Sequence, residues 1–181
     1  MILIINTCRE RLHYFEFVKP IEEIVKNSGK KFFTKKYSQV NVRDLTRAEK
    51  VIICGTALKD FYYSHELMAF SWLRGFEKPV LGICAGMQII VKVFDGNLEE
   101  NKEIGLLKVK LDKDFLGIEK GEAEVYALHK MGISRLGENF EVYARSKKEI
   151  QAIKLKDKEI YGVMFHPEAR NPDIVKEFCL G

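Results

Sequence analysis

The sequence is poor in chain breakers and in the patterns that mark special environments. Only 4 of 181 residues are proline, and there is no Pro/Gly/Ser-rich stretch, repeat or low-complexity segment. Residues 1–181 are therefore expected to form one unit rather than linked domains. No apolar run approaches the ~18 residues of a membrane span. The opening Met1-Ile-Leu-Ile-Ile5 is apolar but short and has no basic flank, so it is not read as a secretory signal. The 4 cysteines (Cys8, Cys54, Cys84, Cys179) contain no Cys-x-x-Cys pair and no metal-type spacing. No metal and no cofactor is expected, and the thiols are read as reduced, in a cytoplasmic setting. Charge of one sign is also scarce, with 30 basic against 26 acidic residues and a net +4. The pairs Lys30-Lys31, Lys35-Lys36 and Lys147-Lys148 are read as solvated faces, and no nucleic-acid motif occurs. Neither a membrane nor a nucleic acid is an expected partner.

What is present alternates between two periodicities. Ile2–Asn6, Lys31–Tyr37, Val51–Gly55 and Val80–Ile83 read as buried strands. Leu12–Asn27 has helical spacing (Leu12, Phe15, Ile21, Ile24, Val25), and Ser28-Gly29 stop it. Glu66–Leu73 and Met87–Phe94 also read as helices. This order predicts an α/β fold, three-layer, with a mostly parallel central sheet flanked by helices. Shorter alternating stretches follow: Leu106–Leu111, Ala123–Leu128, Phe140–Ala144, Ile150–Leu155 and Ile160–Phe165. They predict a smaller mixed or antiparallel extension in the C-terminal half. A helix over about Asp173–Cys179 closes the chain.

Two stretches carry chemistry. Gly82-Ile-Cys84-Ala-Gly86 follows a strand and opens a helix, the context of a nucleophile elbow with cysteine as nucleophile. Glycines two before and two after let strand and helix backbones pass closely. Cys84 would stand at a helix N-terminus, which favours thiolate, and the N–H of Ala85 is placed to stabilise an oxyanion. The second stretch is Tyr161-Gly-Val-Met-Phe-His166-Pro-Glu168. A residue before proline is held extended, and residues i and i+2 of an extended chain point the same way. Glu168 can then bond one nitrogen of His166 and leave the other for Cys84. Together the stretches supply nucleophile, base and orienter, each at a strand end.

On these residues the chain resembles the class I (triad) glutamine amidotransferases over nearly its whole length. It is most similar to the free-standing glutaminase subunit of archaeal-type GMP synthetases, in the order Ala127-Leu-His129-Lys130, Phe140–Ser146, Ile160-Tyr-Gly-Val. The resemblance implies hydrolysis of glutamine to glutamate and ammonia through a γ-glutamyl thioester, with ammonia passed to a synthetase subunit in trans. It implies Cys84, His166 and Glu168 as the triad. Oxyanion donors fall on Gly55 and Ala85, and substrate contacts on Gln88, His129 and Lys130. Two alternatives stay open: a γ-glutamyl thiol hydrolase that needs no partner, and a non-catalytic binding or regulatory subunit.

The sequence departs from the family pattern at three places. Where the family carries Gly-Gly-Pro, this chain reads Gly55-Thr56-Ala57. Either Gly55 supplies the N–H with Thr56 in the proline place, or a threonine occupies the critical glycine. Met131-Gly132 stands where the GMP synthetase subunits carry an aspartate. Asn6-Thr7-Cys8 replaces an Asp/Gly-rich turn. His13 and His65 read as surface or helix-face residues. Tyr62, Tyr63, Met68 and Trp72 read as packing, and Cys54 as a small buried hydrophobe.

Overall fold

The computed structural model describes all 181 residues. Strands β1 (Ile2–Asn6), β2 (Phe32–Lys36), β3 (Lys50–Ile53), β4 (Val80–Ile83) and β9 (Ile160–Val163) run parallel. Alternate residues of β1 enter different layers. Ile2 and Ile4 pack beneath α2 (Lys19–Asn27) and α5 (Asp173–Leu180), among Ile21, Val25, Ile174 and Phe178. Leu3 and Ile5 pack with Ile89 and Ile90 of α4 (Ala85–Val93) and with Phe70 and Leu73. The sheet is thus buried on both faces, as its near-continuous Val/Ile/Leu strands require.

The antiparallel half is not a separate appendage. Strands β5 (Asn97–Leu111), β6 (Gly121–Arg135), β7 (Phe140–Arg145) and β8 (Ile150–Leu155) continue the same sheet from β9 outward. The result is one nine-stranded sheet in the order β2-β1-β3-β4-β9-β8-β7-β5-β6. The β5–β6 hairpin is longer than the alternation predicts. Asn97-Leu-Glu-Glu-Asn-Lys-Glu103 shows almost no apolar positions, yet it pairs with Met131–Arg135 and His129.

Two helical expectations are corrected. The Leu12–Asn27 helix is broken into α1 (Arg11–His13), a π turn (Tyr14–Val18) and α2. The extra residue of a π turn shifts the phase of the helix. Leu12 and Phe15 are consequently 65% and 53% exposed, while His13, read as a surface residue, is buried. Leu67–Gly75 is a 3₁₀ segment rather than an α-helix. In it Trp72 packs edge-on against Phe76, but Met68 is 84% exposed. The short α3 (Val42–Arg47), with a capping box between Asn41 and Asp44, has no counterpart in the sequence reading. The four cysteines are buried and free. None of the helices is long and apolar enough to cross a membrane.

Candidate active site

The carboxyl ends of β1, β3, β4 and β9 lie together, the end of an open α/β sheet at which ligands bind. Cys84 follows β4 with φ 48° and ψ −101°, a left-handed backbone in a non-glycine residue. Such strain costs of order 1–3 kcal/mol and is held by its surroundings. The glycines explain how. A Cβ on Gly82 would lie 2.6 Å from the Gly86 backbone, and one on Gly86 would collide with the Ile53 carbonyl. Strand β4, helix α4 and strand β3 thus meet backbone to backbone around the cysteine.

His166 follows β9 and is fully enclosed. Its Nδ1 donates to Glu168 Oε1 at 2.7 Å, and its Nε2 has no partner within the protein. The imidazole is wedged beside Gly55, where an added Cβ would lie 2.6 Å from His166 Cε1 and 3.4 Å from Cys84 Cβ. Only glycine fits between the cysteine and the histidine. On the other side Phe17, from the π turn, packs on the ring at 5.2 Å between centroids. Burial alone depresses the basicity of His166. The Glu168 carboxylate and the Cys84 sulfur outweigh it and hold the imidazole well above the usual 6.5.

A cavity of about 250 Å³ opens in front of the sulfur. Its walls are the loop after β3 (Thr56–Phe61), Tyr63, the elbow with Ala85 and Gln88, and Leu128–Met131 of β6. His166 and Glu168 lie behind Cys84, outside this lining, and so does Gly55. The Cys84 thiol donates to the Leu128 carbonyl at 3.6 Å. Gln88 is buried with both ends of its amide occupied. Tyr63 OH donates to its Oε1 at 2.6 Å, and its Nε2 donates to the Met131 carbonyl at 3.1 Å. Tyr63 is thus more than packing: its hydroxyl clamps Gln88.

His129 is also enclosed. Glu103 stands directly opposite on β5 and approaches Nε2 at 3.4 Å, without hydrogen-bond alignment. Burial is the largest influence and lowers the basicity of His129 despite Glu103. Lys130 is exposed at the cavity rim, 3.6 Å from Glu100. Behind them, Gly132 leaves space that the Glu149 carboxylate fills, bonded to Ile133 N–H and Asn101. A side chain in place of Gly132 would collide with it. No group of acidic, histidine or cysteine side chains here could hold a metal ion.

The backbone N–H groups of Gly55, Thr56 and Ala57 are not taken up by other backbone groups. Behind them lies a buried cluster the sequence did not announce. Asp60 Oδ2 accepts from His13 Nδ1 at 2.6 Å, Thr56 Oγ1 at 2.9 Å and Arg9 N–H at 3.1 Å. Nothing in the His13 or Asp60 sequence context marks them. The signal was the phase shift of the π turn, which a 3.6-residue reading cannot contain.

A strained cysteine thus stands beside a buried His–Glu pair at the strand ends of an open α/β sheet. The family profile of class-I glutamine amidotransferases matches residues 11–177, and this chain belongs to that family. Among curated relatives, it is 44% identical over 100 residues to one subunit of the glutamine-hydrolyzing GMP synthase of Methanosphaera stadtmanae, covering 51% of this chain and 53% of the relative. It is 38% identical over 111 residues to the protein of that name from Methanocaldococcus jannaschii, covering 56% and 58%. The matched segments thus span just over half the length of these relatives. Among solved structures, a protein described as the same GMP synthase subunit, from Thermoplasma acidophilum, superposes with TM-score 0.86 at 21% identity, covering 98% of this chain and 91% of that one. At that identity the likeness concerns the fold.

Proposed function

We propose that this protein hydrolyses the side-chain amide of glutamine with Cys84 as nucleophile and passes the ammonia to a separate synthetase subunit. The observation that carries the reading is the strained Cys84 beside His166, whose other nitrogen is held by Glu168. The raised basicity of His166 favours an imidazolium next to the sulfur. The sulfur attacks the amide carbon; His166 gives its proton to the departing nitrogen as the C–N bond breaks, releasing ammonia. Water, losing a proton to His166, then cleaves the γ-glutamyl thioester, and glutamate leaves.

Two N–H groups stabilise the oxyanion. One is that of Ala85, the first residue of α4. The other is supplied by the loop after β3, and the orientation of its peptides favours Thr56 over Gly55. The Gly55 carbonyl accepts from Thr7 Oγ1 at 3.2 Å and from the Cys8 thiol at 3.8 Å. In a planar trans peptide the following N–H points the opposite way, away from Thr7 and Cys8. Thr56 lines the cavity; Gly55 does not. Gln88 braces the cavity wall through Tyr63 and Met131, and substrate meets the wall it braces. His129 supplies an enclosed imidazole in the cavity wall, and Lys130 at the rim a cation for the α-carboxylate.

The acceptor follows from the named relatives: a synthetase that forms GMP is the first candidate partner. The test is glutamine hydrolysis by the chain by itself and with such a synthetase. Expected is glutamate formation abolished in Cys84→Ala, with Cys84 labelled stoichiometrically by a glutamine-like alkylating agent. Unchanged turnover in Cys84→Ala would sink the reading. Absence of labelling would leave the alternative of a non-catalytic subunit. Turnover of other γ-glutamyl compounds without a partner would favour the thiol hydrolase.

A further inference from the structure

We propose that Asp60, through Thr56 and His13, is a positioning device that fixes the oxyanion-binding peptide by side-chain bonds. The inference rests on the glutaminase reading above. In the family pattern two glycines and a proline shape this loop. Here Thr56 and Ala57 stand in the last two places, and the stiffness of the proline ring is gone. Thr56 is not in the left-handed region, so the position does not use a glycine's freedom. What the position gains is a hydroxyl, which donates to the buried Asp60 at 2.9 Å.

Asp60 is itself held from three directions. His13 comes from α1, the Arg9 N–H from the loop after β1, and Thr56 from the loop after β3. A turn bond from Asp60 N–H to the Ala57 carbonyl at 2.8 Å closes the loop between the carboxylate and Thr56. On the far side, Thr7 Oγ1 donates to the carbonyls of Cys54 and Gly55 at 3.0 and 3.2 Å. The Gly55–Thr56 peptide is therefore gripped at its oxygen by Thr7 and at its next side chain by Asp60. Rotation of that plane would break bonds at both ends. Burial opposes the ionised form of Asp60, but the bonds from His13, Arg9 and Thr56 outweigh it and hold the carboxyl below its usual range. The post on which Thr56 rests thus stays charged, and charge-assisted bonds are the stronger kind.

The device predicts a loss that falls on transition-state stabilisation and spares both substrate binding and the nucleophile. Thr56→Val keeps shape and N–H but deletes the hydroxyl; Thr56→Ser restores it. In Thr56→Val, kcat for glutamine should fall about 10- to 100-fold while KM stays within about threefold of wild type. Alkylation of Cys84 by iodoacetamide, a displacement with no oxyanion, should stay within about twofold, and Thr56→Ser should recover kcat to within about threefold. Asp60→Asn should lower kcat in the same pattern. Where the chain by itself turns over too slowly, a glutamine-shaped diazoketone gives the same comparison. The Cys84 sulfur adds to its ketone carbonyl, placing an oxyanion at the same position; His166 protonates the diazo carbon, and the sulfur migrates to that carbon as N₂ leaves and the carbonyl reforms. That rate should fall in Thr56→Val and recover in Thr56→Ser.

The positioning role is overturned if Thr56→Val keeps wild-type kcat or diazoketone rate. It is equally overturned if KM alone changes, if iodoacetamide reactivity falls in step, or if serine fails to restore the loss. A wild-type chain that neither hydrolyses glutamine with its partner nor accepts the diazoketone at Cys84 overturns the glutaminase reading, and this inference with it.

Discussion

The protein carries two buried histidine–glutamate pairs, and they behave in opposite ways. His166 and Glu168 sit two residues apart on the chain leaving β9, aligned at 2.7 Å, and the imidazole is held well above its usual basicity. His129 and Glu103 face each other across the β5–β6 ladder at 3.4 Å, and the imidazole is pushed below it. Burial works against charge in both. Two things differ: how the carboxylate is placed, and the Cys84 sulfur, which adds to the effect of Glu168 at His166 and has no counterpart at His129. Glu168 Oε1 is directed at the histidine. Glu103 is shared with Ser146 at 2.9 and 3.1 Å and with Gln151 at 2.6 Å, and its pull on His129 is outweighed by burial. Proximity of opposite charge is not enough; its alignment, its other partners and a second anionic neighbour together decide whether burial is overcome.

Experiments can break this contrast at either end. The largest effect is expected for His166→Ala, which should lower kcat by about a thousandfold, read by glutamate release. Glu168→Gln should cost about 10- to 100-fold in kcat with little change in KM, because it loosens the ring without removing it. If Glu103→Gln were equally damaging, the two pairs would be equivalent and the contrast false. Instead it should alter KM by no more than about threefold. Gly86→Ala should destabilise the fold by about 1–3 kcal/mol in denaturant titration, since its methyl meets the Ile53 backbone rather than a movable side chain.

The smallest and sharpest test is the pH dependence of the melting temperature. His166 binds its proton more tightly when folded. Its contribution is full below 6.5 and fades as pH rises through its raised folded value. His129 binds its proton more weakly when folded, so acidification below 6.5 favours the unfolded chain. A His129→Asn variant should show a flatter loss of melting temperature between neutral and mildly acidic pH. A His166→Asn variant should show a flatter loss on the alkaline side. The reverse assignment would overturn the comparison.

The same two regions differ in how far the sequence disclosed them. The parallel half is spelled out locally. Apolar runs end at Gly55 and at Gly82-Ile-Cys84-Ala-Gly86, where sterics allow few alternatives, and an extended His-Pro-Glu sets its own i, i+2 contact. The hairpin is not. Asn97–Glu103 has neither alternation nor β-branched residues, and its strand exists because β6 pairs with it. Glu149 is buried and Glu103 half-buried; apart from the Ile150 N–H on Glu149, the hydrogen-bond partners of their carboxylates come from 16 to 48 residues away. His13 was hidden by a one-residue change of helical phase. Thr56 was visible as a departure, but its partner Asp60 was not, because a buried acid has no pattern until its donors are placed around it.

The strand order has one more consequence. Strand β6, which contributes Leu128–Met131 to the cavity, is the outermost strand of the sheet. Its only strand partner is β5, and that ladder is interrupted between Glu100 and Glu103, beside the His129 pairing; on the inner side the carbonyls of Tyr126, Leu128 and Met131 accept from His166 N–H, the Cys84 thiol and Gln88 Nε2. Peeling this short stretch outward forfeits only a few hydrogen bonds, each worth about 1 kcal/mol net. The wall built on β4 is sealed between β3 and β9 and does not have that freedom. The cavity thus has one wall fixed inside the sheet and one at its edge, and any outward displacement of that edge pulls on Cys84 and Gln88 through Leu128 and Met131.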